Sequence, residues 1–157
     1  MPSAIGDVLP ALGVLVTTAV SPTRVYVGPK PTSENAREFL CVGFDPDGTG
    51  DGVTTDQTIS PMGNDWVDES GDVTCTVVCW SGSTDTAPLL ARADDLLDLV
   101  DAALKADPRL GGVLVNGAAD GSKARVLGRG GMQLSSAARG ASARLTFTIH
   151  YSTLLVG

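Results

Sequence analysis

The sequence has few of the residues from which most catalytic and nucleic-acid-binding sites are built. It contains one histidine in 157 residues, and aromatic residues make up only 4% of the chain. Its 11 Lys and Arg residues are outnumbered by 18 Asp and Glu residues, which gives a net charge of -7. Because proteins that bind nucleic acid tightly present a basic surface, this balance argues against direct, tight nucleic-acid binding.

Familiar catalytic motifs are also missing. The chain has no HExxH zinc motif, no Walker A loop, no GxSxG nucleophile motif and no dinucleotide-binding signature. The single histidine, His150, lies in a Thr-rich segment without a recognisable nucleophile around it. The glycines of GRGG at 128–131 precede no helix that could complete a phosphate site, so they predict a turn. We therefore expect no catalytic, cofactor-binding or metal-binding residues, and a protein that is not an enzyme.

Three cysteines cannot all pair with one another, and an odd count is typical of a reducing compartment. Cys75 and Cys79 lie in a β-branched run that predicts a strand. On a strand their Cα atoms are ~13 Å apart, since each residue advances the chain by ~3.3 Å, and a disulfide requires less than roughly 7 Å. We interpret both cysteines as small core residues.

The apolar N-terminal run at 1–20 has neither the charge pattern of a signal peptide nor the continuity of a membrane span. No Lys or Arg precedes Arg24, and Asp7 and Pro10 interrupt the run. Apolar residues recur at helical spacing, which predicts an amphipathic first helix. Pro10 is harmless in the first turn if the helix begins at Asp7, but kinks the helix if it begins at Ser3. No membrane contact is expected.

The remaining pattern predicts one domain over residues 1–157, of α/β or α+β class. Strands are predicted at 23–27, 37–44, 73–80, 113–115, 124–127 and 144–151. The most secure element is a helix at 88–106, because its apolar residues recur on one face. These residues are Leu90, Ala93, Leu96, Leu97, Val100, Ala103 and Leu104. Asp94, Asp98 and Asp101 lie elsewhere on it, and we interpret them as solvated or as facing basic groups of a neighbouring subunit.

Residues 45–71 contain almost no core formers and predict a long, solvated acidic loop. Within it, five residues match positions 1, 3, 5, 6 and 12 of a helix-loop-helix calcium loop: Asp45, Asp47, Thr49, Gly50 and Asp56. Position 12 is Asp where such loops have Glu, and a strand is predicted before the loop in place of a helix. A calcium- or ligand-binding domain is therefore kept only as an alternative.

The order of these segments resembles the tail terminator (tail completion) proteins of siphophages, those of actinobacteriophages in particular. The resemblance covers nearly the whole chain. Its most specific pieces are VGFDPD at 42–47, ESGDVTCTVVCWSGSTD at 69–85, ADPRLGG at 106–112 and GASARLTFTIHY at 140–151. None of them is a catalytic signature.

The resemblance implies an α+β fold with a mixed, mainly antiparallel sheet of four to five strands, flanked by two helices and carrying long loops. It implies a homo-oligomer, a hexameric ring that caps the tail tube and receives the head connector, so that the partners are the tube protein and the connector protein. DNA would only pass through the lumen.

The expected location is the head–tail junction of the virion, after assembly in the host cytoplasm. Another neck component, a head-closure or connector protein, is the closest alternative. We place the candidate interface residues in the regions 45–71 and 116–140, namely Asp47, Asp51, Asp56, Trp66, Lys123, Arg125, Arg129 and Arg139.

Overall fold

The computed structural model describes residues 3–31, 36–44, 52–59, 65–114 and 122–156. Within these ranges the chain forms two long helices, one short 3-10 helix and six strands. The helices are α1 (Ile5–Val20) and α2 (Ala87–Ala106), and the 3-10 helix spans Leu110–Gly112. The strands are β1 (Arg24–Val27), β2 (Glu38–Val42), β3 (Val53–Ile59), β4 (Trp66–Ser81), β5 (Ala124–Ala137) and β6 (Gly140–Val156).

The strands form one mixed sheet in the order β1-β2-β4-β6-β5, and β3 pairs with β4 alongside this path. β1 and β2 are parallel, and every other pair is antiparallel. β2 and β3 therefore occupy the same side of β4, one at each end, while β6 lies along its other side. The predicted α+β class with a mixed, mainly antiparallel sheet is confirmed, but the expected count of four to five strands is too low.

Both helices pack on the same face of this sheet and form one apolar core with it. From β4 this core takes alternate residues that are at most 1% exposed, namely Val73, Cys75, Val77 and Cys79. The core therefore confirms the interpretation of Cys75 and Cys79. On α2 five of the seven residues of the predicted stripe are buried, whereas Ala103 is half-buried and Leu90 is exposed, with Leu89 buried instead. The helix begins at Ala87, and Leu89 lies one turn before Ala93 on the buried side.

The expected loop at 45–71 is wrong in two places. Residues 53–59 form β3, and β4 already begins at Trp66. All residues of β3 after Val53 are exposed, so the sequence shows no apolar alternation there. The strand forms because its backbone pairs with residues 67–73 of β4, a long-range contact that local patterning does not report. Residues 45–51 and 60–64 lie outside the described part of the chain.

The expected turn at 128–131 is also wrong, because β5 continues through it. The pairing with β6 changes register between Val126 and Gly128 and again between Arg129 and Met132, as at β-bulges. A Cβ atom on Gly130 would lie 2.5 Å from the Thr146 carbonyl oxygen, so glycine permits this close approach of the two strands. The strand expected at 113–115 is not found, since Val113 and Leu114 lie in a turn after the 3-10 helix and residue 115 lies outside the described ranges.

The first helix begins at Ile5, between the two starts considered from sequence, and Pro10 lies inside it. Its N-terminus is attached to the sheet by Glu69, which is only 1% exposed. The Glu69 carboxylate accepts hydrogen bonds from the Ala4 N–H at 3.0 Å and from the Ser3 hydroxyl at 2.9 Å. A negative charge at this position interacts favourably with the helix dipole.

The same carboxylate is also hydrogen-bonded within the sheet. Tyr151 donates its phenolic O–H to Glu69 at 2.8 Å, and the Gln57 side-chain amide donates at 2.7 Å. Burial raises the pKa of Tyr151, which keeps the phenol protonated as a donor. Glu69 therefore joins α1, β3 and β6 to β4 through one buried group.

Gly71 leaves the space that the Tyr151 ring occupies in this network. A Cβ atom at Gly71 would lie 2.4 Å from a carbon of that ring. We expect Gly71→Ala to displace the ring, to weaken its bond to Glu69, and to lower the free energy of unfolding by about 1–3 kcal/mol, measured by chemical denaturation. Gly82→Ala is the matched control, because no atom lies within 4 Å of a Cβ built there. Equal stability of the two variants would contradict the prediction.

Candidate interaction surface

The sheet face opposite the helices is a candidate contact surface. Among the described residues, no helix packs on this face. It carries the alternate residues of β4 and β6 that point away from the core. These residues are Thr74, Thr76, Val78 and Trp80 on β4, and Ser142, Arg144, Thr146, Thr148 and His150 on β6. We call it the open face.

An open groove of about 470 Å³ occupies the β2 end of the open face. Its lining is Lys30, Ala36, Phe39, Cys41, Phe44, Thr76, Val78, Trp80, Ser142 and Arg144. Aromatic rings in the groove lie next to cations. The Lys30 ammonium is 5.3 Å from the Phe39 ring centre, and the Arg37 guanidinium is 5.5 Å from that of Trp80. The groove thus combines an apolar floor with basic side chains, a combination found where proteins bind other proteins.

The other end of the open face carries charges of both signs on different strands. Asp56 on β3 and Asp68 and Asp72 on β4 lie on one side. Arg125 lies on the other side, on β5, together with Lys123, the residue before the first residue of β5. His150 on β6 is between them, in register with both Asp72 and Arg125. Its Nδ1 atom is 2.7 Å from the Asp72 carboxylate, a cross-strand contact that joins β4 to β6.

The structure places the predicted interface residues at several different parts of the sheet. Asp56 is exposed at the β3 edge, and Lys123 and Arg125 are exposed at the β5 edge. Trp66 is half-buried at the start of β4, and Arg139 is exposed in the turn between β5 and β6. Arg129 lies on β5 opposite Phe147, and its side chain is not described. Asp47 and Asp51 lie outside the described ranges.

The groove residues Phe39, Val78 and Trp80 were absent from the predicted interface. A signal for them does exist in the sequence, because residues 37–44 have apolar residues on both faces, and residues 73–80 carry Val78 and Trp80 on the face opposite their wholly apolar one. One face of each strand faces the helices, and the apolar residues of the other face are then left to line a second surface. The pattern predicts two contact surfaces, but the second could not be located without the pairing of β2 with β4.

The described part of the calcium-loop pattern does not have the flanking elements that such a site requires. The segment follows the strand β2, and its last residue, Asp56, lies within the strand β3. A helix-loop-helix site has a helix on each side. The flanking strands therefore argue against this alternative.

The described residues show no other arrangement that is typical of a chemical site. Within the described ranges, no three His, Cys, Asp or Glu residues are grouped so that they could hold a metal ion. Neither long helix combines the length and the apolar character needed to cross a membrane. The chain matches no known protein family and no curated protein. Its function must therefore be inferred from its own residues and surfaces.

The three cysteines are poorly placed to react as thiolates. All three are free and buried, and burial raises the pKa of Cys75 to about 12 and that of Cys79 to about 11. Burial also raises the pKa of Cys41, which lines the groove. Because the thiolate is the reactive species, we expect native thiols to react with a disulfide reagent at least ~100-fold more slowly than the unfolded chain. Rapid labelling of one thiol in the native protein would contradict this.

Proposed function

We propose that this protein is a structural ring subunit of a siphophage tail, a tail terminator that caps the tail tube and provides the surface for head-connector attachment. The observation that carries the proposal is the open face, which has an apolar groove at one end and separated charges at the other. Such a surface suits a protein that works through several protein contacts. The protein is then not an enzyme, and its location is the head–tail junction of the virion.

The segments that resemble tail terminator proteins form central elements of the fold. The segments at 69–85 and 140–151 form most of β4 and β6, the two longest strands, and the segment at 106–112 ends α2 and contains the 3-10 helix. The segment at 42–47 begins at the end of β2, beside the groove. These segments therefore determine where the groove and the edges of the sheet lie.

The groove is the surface that we assign to the tube or the connector. Trp80 is 39% exposed although it is held in place by a hydrogen bond from its indole N–H to the Ala36 carbonyl oxygen at 3.1 Å. Partly exposed, fixed aromatic side chains contribute strongly to binding, because little conformational freedom is lost on contact. Lys30 and Arg144 beside it favour a partner surface with acidic groups.

An acidic ring subunit also suits the passage of DNA. The net charge of -7 repels phosphate groups, so that DNA would cross the lumen without adhering to it. A basic lumen in an assembled ring would contradict this part of the proposal.

Tube assembly tests the proposal directly. Tube protein from the same viral genome is polymerised with and without a molar excess of this protein over tube ends, and lengths are measured by electron microscopy. We expect shorter tubes, with labelled protein at one end only, since a cap blocks further addition of subunits. Tubes of unchanged length without bound protein would contradict the proposal. Binding to the connector protein without binding to the tube would assign the chain to another neck component.

Trp80→Ala in the same assay tests the role of the groove. We expect weaker capping, with an about tenfold or higher concentration required for the same tube length. Leu99→Ala is the matched control, because Leu99 is exposed to a similar degree, 43%, but lies on α2 on the helix side of the sheet. Thermal unfolding of both variants shows whether the fold is retained. Equal capping by the two variants would exclude the groove as the tube contact.

A further inference from the structure

We propose that copies of this chain associate head to tail through opposite edges of the sheet, the β5 edge of one copy meeting the β3 edge of the next. The basic edge is defined by Lys123 and Arg125, and the acidic edge by Asp56, Asp68 and Asp72. The inference rests on the proposed function only in that it names the contact from which the ring is built.

The two edges lie at the same level of the sheet and differ in charge. Asp56 is in register with Ser70, Ser70 with Ser152, and the Ser152 N–H donates to the Lys123 carbonyl oxygen at 3.1 Å. These paired residues form a row that crosses the sheet from the acidic edge to the basic edge. Asp56 on β3 is three strand spacings, ~14 Å, from the β5 edge, which exceeds the Debye length of about 10 Å at 0.1 M salt, whereas Asp68 and Asp72 on β4 are two spacings from it. The charge of Asp56 is therefore not neutralised by the β5 edge of the same copy.

Within the acidic edge, only one carboxylate has a described basic partner. Asp72 is paired with His150. Asp56 is exposed, and the Oδ1 atom of Asp68 accepts no hydrogen bond from any described residue although it is buried. The edge therefore keeps a negative charge that a neighbouring molecule can compensate.

Each edge is formed by a strand that has a described partner strand on one side only. In the described part of the chain, β3 pairs only with β4 and β5 only with β6. One backbone group of the β5 edge is occupied, because the Ala124 N–H donates to the Pro108 carbonyl oxygen at 2.7 Å. An exposed edge strand is a template for pairing with another chain. Each edge also carries an exposed apolar side chain, since Ile59 on β3 is 75% exposed and Leu127 on β5 is 52% exposed.

The charges decide which edges can meet. Contact between two β5 edges would bring Lys123 and Arg125 against their own copies, and contact between two β3 edges would bring Asp56 against Asp56. Such like-charge contacts are unfavourable. Contact between β5 and β3 joins opposite charges and leaves one edge of each kind free at the ends. An interface of this heterologous type closes into a ring when its rotation permits.

A second copy is the occupant that the chain itself specifies, because both complementary surfaces are present on one molecule. An acidic protein could bind the basic edge, but it would leave the acidic edge, with its exposed Ile59, without a partner. Self-association covers both edges by one contact repeated around the assembly.

Reciprocal charge reversal tests this contact. We compare the wild-type protein, Arg125→Glu, Asp56→Lys and an equimolar mixture of the two variants by size-exclusion chromatography with light scattering, at low and high salt. The wild-type protein is expected to associate at low salt and to dissociate as salt is raised. Each variant alone should associate about tenfold or more weakly, since residues 56 and 125 then carry charges of the same sign and repel one another across the contact. The mixture should associate again, because every β5–β3 contact can then join opposite charges.

Two controls carry the same charge changes elsewhere. Arg139→Glu lies in the turn between β5 and β6, at the opposite end of the sheet, and Asp98→Lys lies on the exposed side of α2. Both should associate like the wild-type protein. Thermal unfolding of all variants shows that a loss of association does not reflect a loss of folding.

Three outcomes would overturn the inference. They are a wild-type protein that stays monomeric at high concentration and low salt, a mixture that does not regain association, and a stronger association of either variant alone. The outcome is separate from that of the proposed function. A protein that caps tubes but fails the mixing test retains its function and loses this contact, whereas one that passes the mixing test but does not bind tubes loses the function alone.

Discussion

The long antiparallel pairing of β4 with β6 is the constraint on which the rest of the structure depends. It runs without interruption from Trp66 opposite Val156 to Ser81 opposite Ala141. Because side chains alternate between the faces of a sheet, this register decides which residues enter the core and which form the open face. A shift of β4 by one residue against β6 would bring Thr76 under the helices and expose Cys75. The other strands then attach to this pair, β2 and β3 along β4 and β5 along β6.

The helices are positioned on this pair by a few specific contacts in addition to the apolar core. Glu69 attaches the start of α1 to β4 and β6, and the Tyr151 ring has room to reach it because residue 71 is glycine. On α2, Arg92 donates two hydrogen bonds to Glu38 of β2, at 3.0 and 2.9 Å. These bonds lower the pKa of Glu38, so this contact favours the folded state at neutral pH and loses its effect once the carboxylate is protonated in acid.

Among the described residues, a two-layer arrangement with both helices on one side leaves part of the other sheet face and the outer sides of β3 and β5 available for contact. Several basic groups of this acidic protein lie around the groove and at the β5 edge, while Asp56, Asp68 and Asp72 lie at the β3 edge. The net charge of the chain conceals this separation, because it sums over surfaces that face different directions. Contacts with unlike partners and with further copies can then be formed by different parts of one face.

The sequence alone determined the elements whose burial is one-sided and local. The helix at 88–106 and the core positions of residues 73–79 were predictable, because burial of one face imposes a period of 3.6 or 2 on apolar residues. Only the tertiary structure decided the position of β3, the burial of Glu69 and the passage of β5 through its glycines. Each depends on pairing with a segment that is distant in the chain, and an exposed strand or a buried carboxylate has no apolar period of its own. The separation of Asp56 from Arg125 could not be predicted for the same reason, since only the strand order places their charges on opposite edges of the sheet.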